Sequence, residues 1–275
     1  MASLAPRALF QPAAGGQRLF IHYPPATARC RGAVLYLHPL ADEMNKARRM
    51  AALQCRALAA SGFAALQIDL LGCGDSSGDF ADATWAAWLD DSLLAARWLQ
   101  AQHPGPLWLW GLRAGCLLAT AASRQLPEVS GLLLWQPPAN GQLLLQQFLR
   151  MRAAQGLQDG QNKGAMAQLR AELAAGQHVE VGGYALSPGL AAGLGAATLE
   201  PAAHCRQVGW FETTTREPVA LLPAGAASIA AWQACGIDVH AQAVTGPAFW
   251  QTTEIEDAPA LVDATLAYLA TRVAA

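Results

Sequence analysis

The sequence predicts an α/β protein on a doubly wound, mostly parallel sheet, and three observations carry that expectation. Short apolar runs of strand length alternate with longer segments of helical spacing, the order that gives parallel strands covered by helices. The runs at 33–38 (AVLYLH), 63–68 (FAALQI), 106–110 (PLWLW) and 131–135 (GLLLW) are nearly free of polar residues, as strands covered on both faces are. Of the 275 residues, 53% are apolar and 14% charged, against roughly 25% charged in an average chain, so there is ample surface to bury and disorder is excluded.

The elements follow in order. Leu19 to Tyr23 reads as a short strand ended by Pro24 and Pro25. Ala33 to His38 is a buried strand by length and β-branched or aromatic content. Met44 to Ser61 has helical spacing, and Gly62 is a good stop. Phe63 to Ile68 is the next strand, followed by Asp69 and a Gly-rich loop from Leu70 to Phe80. Thr84 caps a helix reaching Gln102, the third apolar strand ends at Trp110, a helix runs from Leu112 to Arg124, and Gly131 to Trp135 is a fourth strand. Asn140 to about Pro201 then breaks the rhythm. It is helical at first, later rich in Gly, Ala and Gln, and reads as a cap inserted into a single α/β domain spanning 1–275. Alternation resumes with a strand at Pro218–Leu222, a helix at Ala226–Cys235, a strand at Ile237–Val244 and a last helix at Ala258–Val273.

Composition excludes several functions. Net charge is -2 with no basic block, which argues against nucleic acid. Met1 to Gln17 has no apolar signal-peptide core, and no run approaches the roughly 18 apolar residues of a spanning helix, so a cytoplasmic protein is expected. The six cysteines are scattered with no CxxC pair, which speaks against a disulfide framework and against zinc. No metal and no cofactor is expected, and the phosphate-binding GxxxxGK[ST] pattern is absent.

One motif has the right context for chemistry. Gly111-Leu112-Arg113-Ala114-Gly115 has the frame of a nucleophile elbow, G-x-S-x-G, between an apolar strand and an apolar helix. The central residue is Arg113. The chain resembles the α/β-hydrolase superfamily here, with His38-Pro39-Leu40 similar to its oxyanion loop and Asp69 to Gly78 similar to its D-x-x-G-x-G-x-S loop. More narrowly, the segments at 41–50, 66–80, 84–91, 107–115 and 132–138 together resemble the type 2 hydrolase-like proteins associated with the exosortase A system. That resemblance implies an α/β-hydrolase fold with its cap, and hydrolysis of an ester or thioester in bacterial exopolysaccharide and protein-sorting gene sets.

The residues themselves point elsewhere. Arginine keeps its proton and cannot attack a carbonyl. The strand expected to carry the acid runs into Leu222-Pro223-Ala224-Gly225, and the loop expected to carry the histidine, Thr245 to Glu254, has none. All three triad positions therefore lack the expected group. The anion-stabilising half remains, in the backbone N–H groups of Leu40 and Ala114 and the positive end of the helix that follows. Arg113 there is an anion ligand for a small or lipid-linked carboxylate or phosphate, in a protein that binds a ligand or partner without catalysis. Alternatively it pairs with Glu43, Asp69 or Asp75 and plugs the pocket.

The other candidates are weighed by environment. His38, Glu43, Asp69 and Asp75 are candidates for the pocket and for activating water. Phe249 and Trp250 stand where the histidine loop would be and are expected to line an apolar wall. Cys116 reads as a small core residue, and Ser76 and Ser77 as turn formers. Asp42, Glu43, Lys46, Arg48 and Arg49 gather after the oxyanion loop, with Glu43 and Lys46 spaced to pair on a helix. His103 and His178 are expected in exposed segments.

Overall fold

A computed structural model describes residues 5–155 and 164–273. The chain opens with β1 (Arg7–Ala13) and β2 (Gly16–Tyr23), then β3 (Gly32–Leu37), α1 (Asp42–Ala60) and β4 (Phe63–Ile68). After a Gly-rich loop and a 3-10 turn come α2 (Trp85–Gln102), β5 (Leu107–Leu112), α3 (Ala114–Ser123) and β6 (Val129–Trp135). The chain then leaves the sheet as α4 (Gly141–Gln155), α5 (Ala165–Ala174), the hairpin β7 (Val179–Val181) and β8 (Tyr184–Leu186), and α6 (Pro188–Ala196). Residues 156–163 of the expected cap span lie outside the described residues. The sheet resumes with β9 (Gln207–Thr214), α7 (Pro223–Ala234), β10 (Asp238–Thr245) and α8 (Pro259–Arg272).

The eight strands of the main sheet lie in the order β1-β2-β4-β3-β5-β6-β9-β10. β2 is antiparallel to both β1 and β4, and the pairs from β4 through β10 are parallel. The strand period of two sorts side chains onto two cores. Leu35, Leu37, Leu109 and Leu134 join the core under α2, α3 and α7, while Tyr36, Trp110, Leu133 and Trp135 join the core under α1 and α8. Both faces are covered, which is why these strands read as continuous apolar runs. Thr84 caps α2 as expected, its hydroxyl accepting from the Ala87 N–H at 3.1 Å.

One strand assignment is corrected. Pro218–Leu222 is not a strand. Val219 and Leu222 are 42% and 46% exposed, and the sheet position belongs to β9. Its sequence, QVGWFETT, looks too polar for a buried strand. It is buried nonetheless because Glu212 is satisfied there: the Trp210 indole donates at 2.8 Å to one oxygen and the Leu222 N–H donates at 2.6 Å to the other. A carboxylate with two donors loses much of the desolvation cost that would otherwise exclude it.

Candidate functional site

Arg113 stands between β5 and α3 with φ 54 and ψ −115, a backbone conformation that costs a residue with a Cβ about 1–3 kcal/mol. The flanking glycines are sterically required. A Cβ on Gly111 would sit 2.3 Å from the Gly115 backbone, and one on Gly115 would sit 2.0 Å from the Leu37 carbonyl oxygen. The start of α3 therefore packs against the end of β3, beside the loop that carries Leu40. Among the described residues two other non-glycine residues have positive φ, Ala41 at 53 and Gln136 at 45. All three follow the C-terminal ends of neighbouring parallel strands. Strain thus gathers at the edge where open α/β sheets bind ligands.

A cavity of about 730 Å³ opens at that edge, within the range of small-molecule sites. Leu40, Asp42, Glu43 and Lys46 line it from β3–α1, Arg113 from the elbow and Gln136 from the end of β6. Leu144, Gln147, Phe148 and Met151 of α4 face it, with Val181, Gly182 and Tyr184 from the hairpin. Ala248, Trp250 and Gln251 close it from the loop after β10. None of its lining comes from the loop after β9.

The guanidinium of Arg113 reaches Glu43 with Nε and Nη2 each 3.4 Å from a carboxylate oxygen, and Nη2 lies 3.3 Å from Gln147 Oε1. The amide of Gln251 donates to Glu43 Oε1 at 3.3 Å. These contacts are long; a tight N–H to carboxylate bond is about 2.7–2.9 Å. The two side chains are 13% and 20% exposed, so neither is sealed from a ligand. The Trp250 ring centre lies 6.0 Å from the guanidinium carbon, and the indole N–H is buried without an acceptor among the described residues. Ala114 opens α3, so its N–H has no partner within the helix, and the Leu40 N–H donates to no group among the described residues.

Of the expected pocket residues, Leu40, Glu43, Arg113 and Trp250 meet in the cavity, with Ala114 buried beside it. The others do not. His38 is buried behind the loop, with Nδ1 2.8 Å from the Pro39 carbonyl oxygen and Nε2 accepting from the Leu70 N–H at 3.4 Å. Burial lowers its pKa, so it stays neutral with both ring nitrogens engaged. Asp69 pairs with Arg48 at 2.9 Å and accepts the Asp75 N–H at 3.1 Å, so it organises the Gly-rich loop, while Asp75 is exposed. Phe249 packs into the core against Trp135.

Other expectations sort similarly. Lys46 pairs with Asp42 at 2.9 Å and not with Glu43, because Glu43 turns to Arg113. The Cys116 thiol is fully buried, bonds to the Gly111 and Trp135 carbonyls, and has its pKa pushed up by burial. The Ser76 hydroxyl bonds the Asp69 carbonyl, and Ser77 accepts the Gln17 N–H. His103 lies in an exposed segment as expected but is itself half-buried, its Nε2 2.9 Å from that of His22. His178 is exposed, within 3.0 Å of the Ala81 carbonyl. The acid position is corrected with β9. It falls after Thr214, where Glu217 is exposed and outside the cavity. The cavity glutamines were missed. Gln136 carried a weak signal, standing directly after an apolar strand; Gln147 and Gln251 carried none. Among the described residues no group of three His, Cys, Asp or Glu could hold a metal, and no helix is long and apolar enough to cross a membrane.

No protein-family model and no curated protein sequence matches the chain. Solved structures do resemble it. A Butyrivibrio proteoclasticus protein with ferulic acid bound superposes with a TM-score of 0.69 at 15% identity, covering 95% of this chain and 98% of that one. A soluble variant of monoglyceride lipase from Saccharomyces cerevisiae, bound to a substrate analogue, gives 0.66 at 13% identity over 100% and 98%. An α/β serine hydrolase without a lid from Xanthomonas campestris gives 0.60 at 17% identity over 98% and 96%. At these identities the likeness concerns the fold, and the fold is that of the α/β hydrolases.

Proposed function

We propose that this protein binds, and does not hydrolyse, an apolar small molecule bearing an anionic group. Arg113 holds the anion, and the N–H groups of Leu40 and Ala114 complete its cradle. Asn140 to about Pro201 acts as the cap, and α4 supplies the apolar wall through Leu144, Phe148 and Met151. The observation that carries the reading is the elbow itself: a strained backbone presents a guanidinium into an open cavity, loosely held at 3.3–3.4 Å by its neighbours. By its resemblance to the exosortase A-associated type 2 proteins, we assign the ligand to cytoplasmic steps of exopolysaccharide or protein-sorting systems, either free or lipid-linked.

A second reading keeps ester or thioester hydrolysis. It is favoured by Glu43, a cavity carboxylate beside the vacant N–H groups that could take a proton from water. Two measurements separate the readings. The binding reading expects no stoichiometric fluorophosphonate labelling and no turnover of nitrophenyl acyl esters. It also expects calorimetric binding of octanoate that Arg113→Ala weakens about 10- to 150-fold, the effect of losing one hydrogen bond to a charged group. Ester turnover lost in Glu43→Gln would establish hydrolysis instead.

A further inference from the structure

We propose that the ligand is a zwitterion of the α-amino-acid type with a large apolar side chain, its carboxylate on Arg113 and its ammonium on Glu43. This rests on Arg113 being the anion ligand. Among the described residues four charged side chains line the cavity, and they form two pairs: Asp42 with Lys46 at 2.9 Å, and Glu43 with Arg113 at 3.4 Å. These four charges cancel. An anion alone would take Arg113 and leave the Glu43 carboxylate, one-fifth exposed, with only the Gln251 amide as donor among the described residues. Removing one partner of a partly desolvated pair is unfavourable. A ligand with its own cation replaces both partners at once.

The spacing selects the class. Arg113 and Glu43 touch, so the groups that part them must also be close together. In an α-amino acid only two bonds separate the ammonium nitrogen from the carboxylate carbon. The two glutamines fit the same arrangement. Gln147 presents its oxygen beside Arg113, where it can also accept from an ammonium. Gln251 presents its NH₂ beside Glu43, where it can also donate to a carboxylate. The apolar body then lies against Phe148 and Met151.

The test is calorimetric titration of the whole protein with phenylalanine, 3-phenylpropionate and phenethylamine, which share a body and differ in charge. Phenylalanine should bind about 10- to 150-fold more tightly than either analogue. Glu43→Gln should abolish its advantage over 3-phenylpropionate, and Arg113→Ala should weaken both acids, with both variants melting cooperatively. If 3-phenylpropionate binds as tightly as phenylalanine, the zwitterion inference fails while the anion reading stands. If phenethylamine matches phenylalanine and Arg113→Ala changes nothing, both fail. If none of the three binds while octanoate does, the zwitterion inference fails and the anion reading stands; if octanoate fails to bind too, both fail.

Discussion

Replacing Arg113 by glycine separates a functional arginine from a structural plug. At φ 54 the wild-type residue carries about 1–3 kcal/mol of strain, which glycine does not. Glycine adds back roughly 0.4–1 kcal/mol of unfolded-chain entropy relative to alanine. The lost pair with Glu43 is long and partly exposed, worth about 0–1 kcal/mol. Arg113→Gly should therefore fall between roughly 1 kcal/mol less stable and roughly 2.5 kcal/mol more stable than wild type. At about 2–4 °C per kcal/mol for a large domain, its melting point should drop by no more than about 4 °C and can rise by several degrees. Arg113→Ala keeps the Cβ strain and should melt below the glycine variant. Scanning calorimetry of the three proteins reads this directly. If Arg113→Gly melts more than about 5 °C below wild type, the side chain is holding the fold and the plug reading is correct.

Three further outcomes follow from the geometry. Gly115→Ala would set a Cβ 2.0 Å from the Leu37 carbonyl oxygen, so urea unfolding should show a loss of about 3 kcal/mol or more. Gly195→Ala in α6, meeting only the Leu145 side-chain tip at 3.3 Å, should change stability by no more than about 1 kcal/mol. Glu212→Ala leaves the Trp210 indole and the Leu222 N–H without acceptors and should cost about 2–6 kcal/mol in the same assay, and Glu212→Gln less. His22 is buried beside His103, and burial first, then the His103 and Arg7 charges, lower its pKa from 6.5 to about 4. The unfolded chain therefore takes up the proton first, so stability should fall as pH drops from 6.5 toward 4 and level off below. After solvent screening His22 accounts for on the order of 1–2 kcal/mol of that fall, and His22→Gln should flatten the melting profile across that window.

The fold was legible wherever one chemical signal sufficed. The strands around Tyr36, Leu109 and Leu133 announce burial on both faces, and Gly111 and Gly115 announce the elbow because only a missing Cβ allows that approach. Legibility ended where burial depends on a distant partner. β9 hid behind Glu212, whose donors come from Trp210 on the same strand and Leu222 beyond it, while the apolar segment 218–222 imitated a strand from an exposed loop. The site behaved alike. Arg113, Leu40 and Trp250 could be read from their places in the motif frame. The choice of Glu43 over Asp69 or Asp75 as the partner of Arg113 could not, since it joins residues 70 positions apart. Gln147 sits on α4, whose placement over the cavity no local pattern encodes.

The most direct test of Arg113 as an anion ligand is a crystal structure of the protein with octanoate. The carboxylate should lie about 2.8–3.0 Å from the Arg113 guanidinium and from the N–H groups of Leu40 and Ala114, with the Glu43 contact opened and the chain running along Phe148 and Met151. A carboxylate bound elsewhere, with the Arg113–Glu43 contact intact, would contradict it.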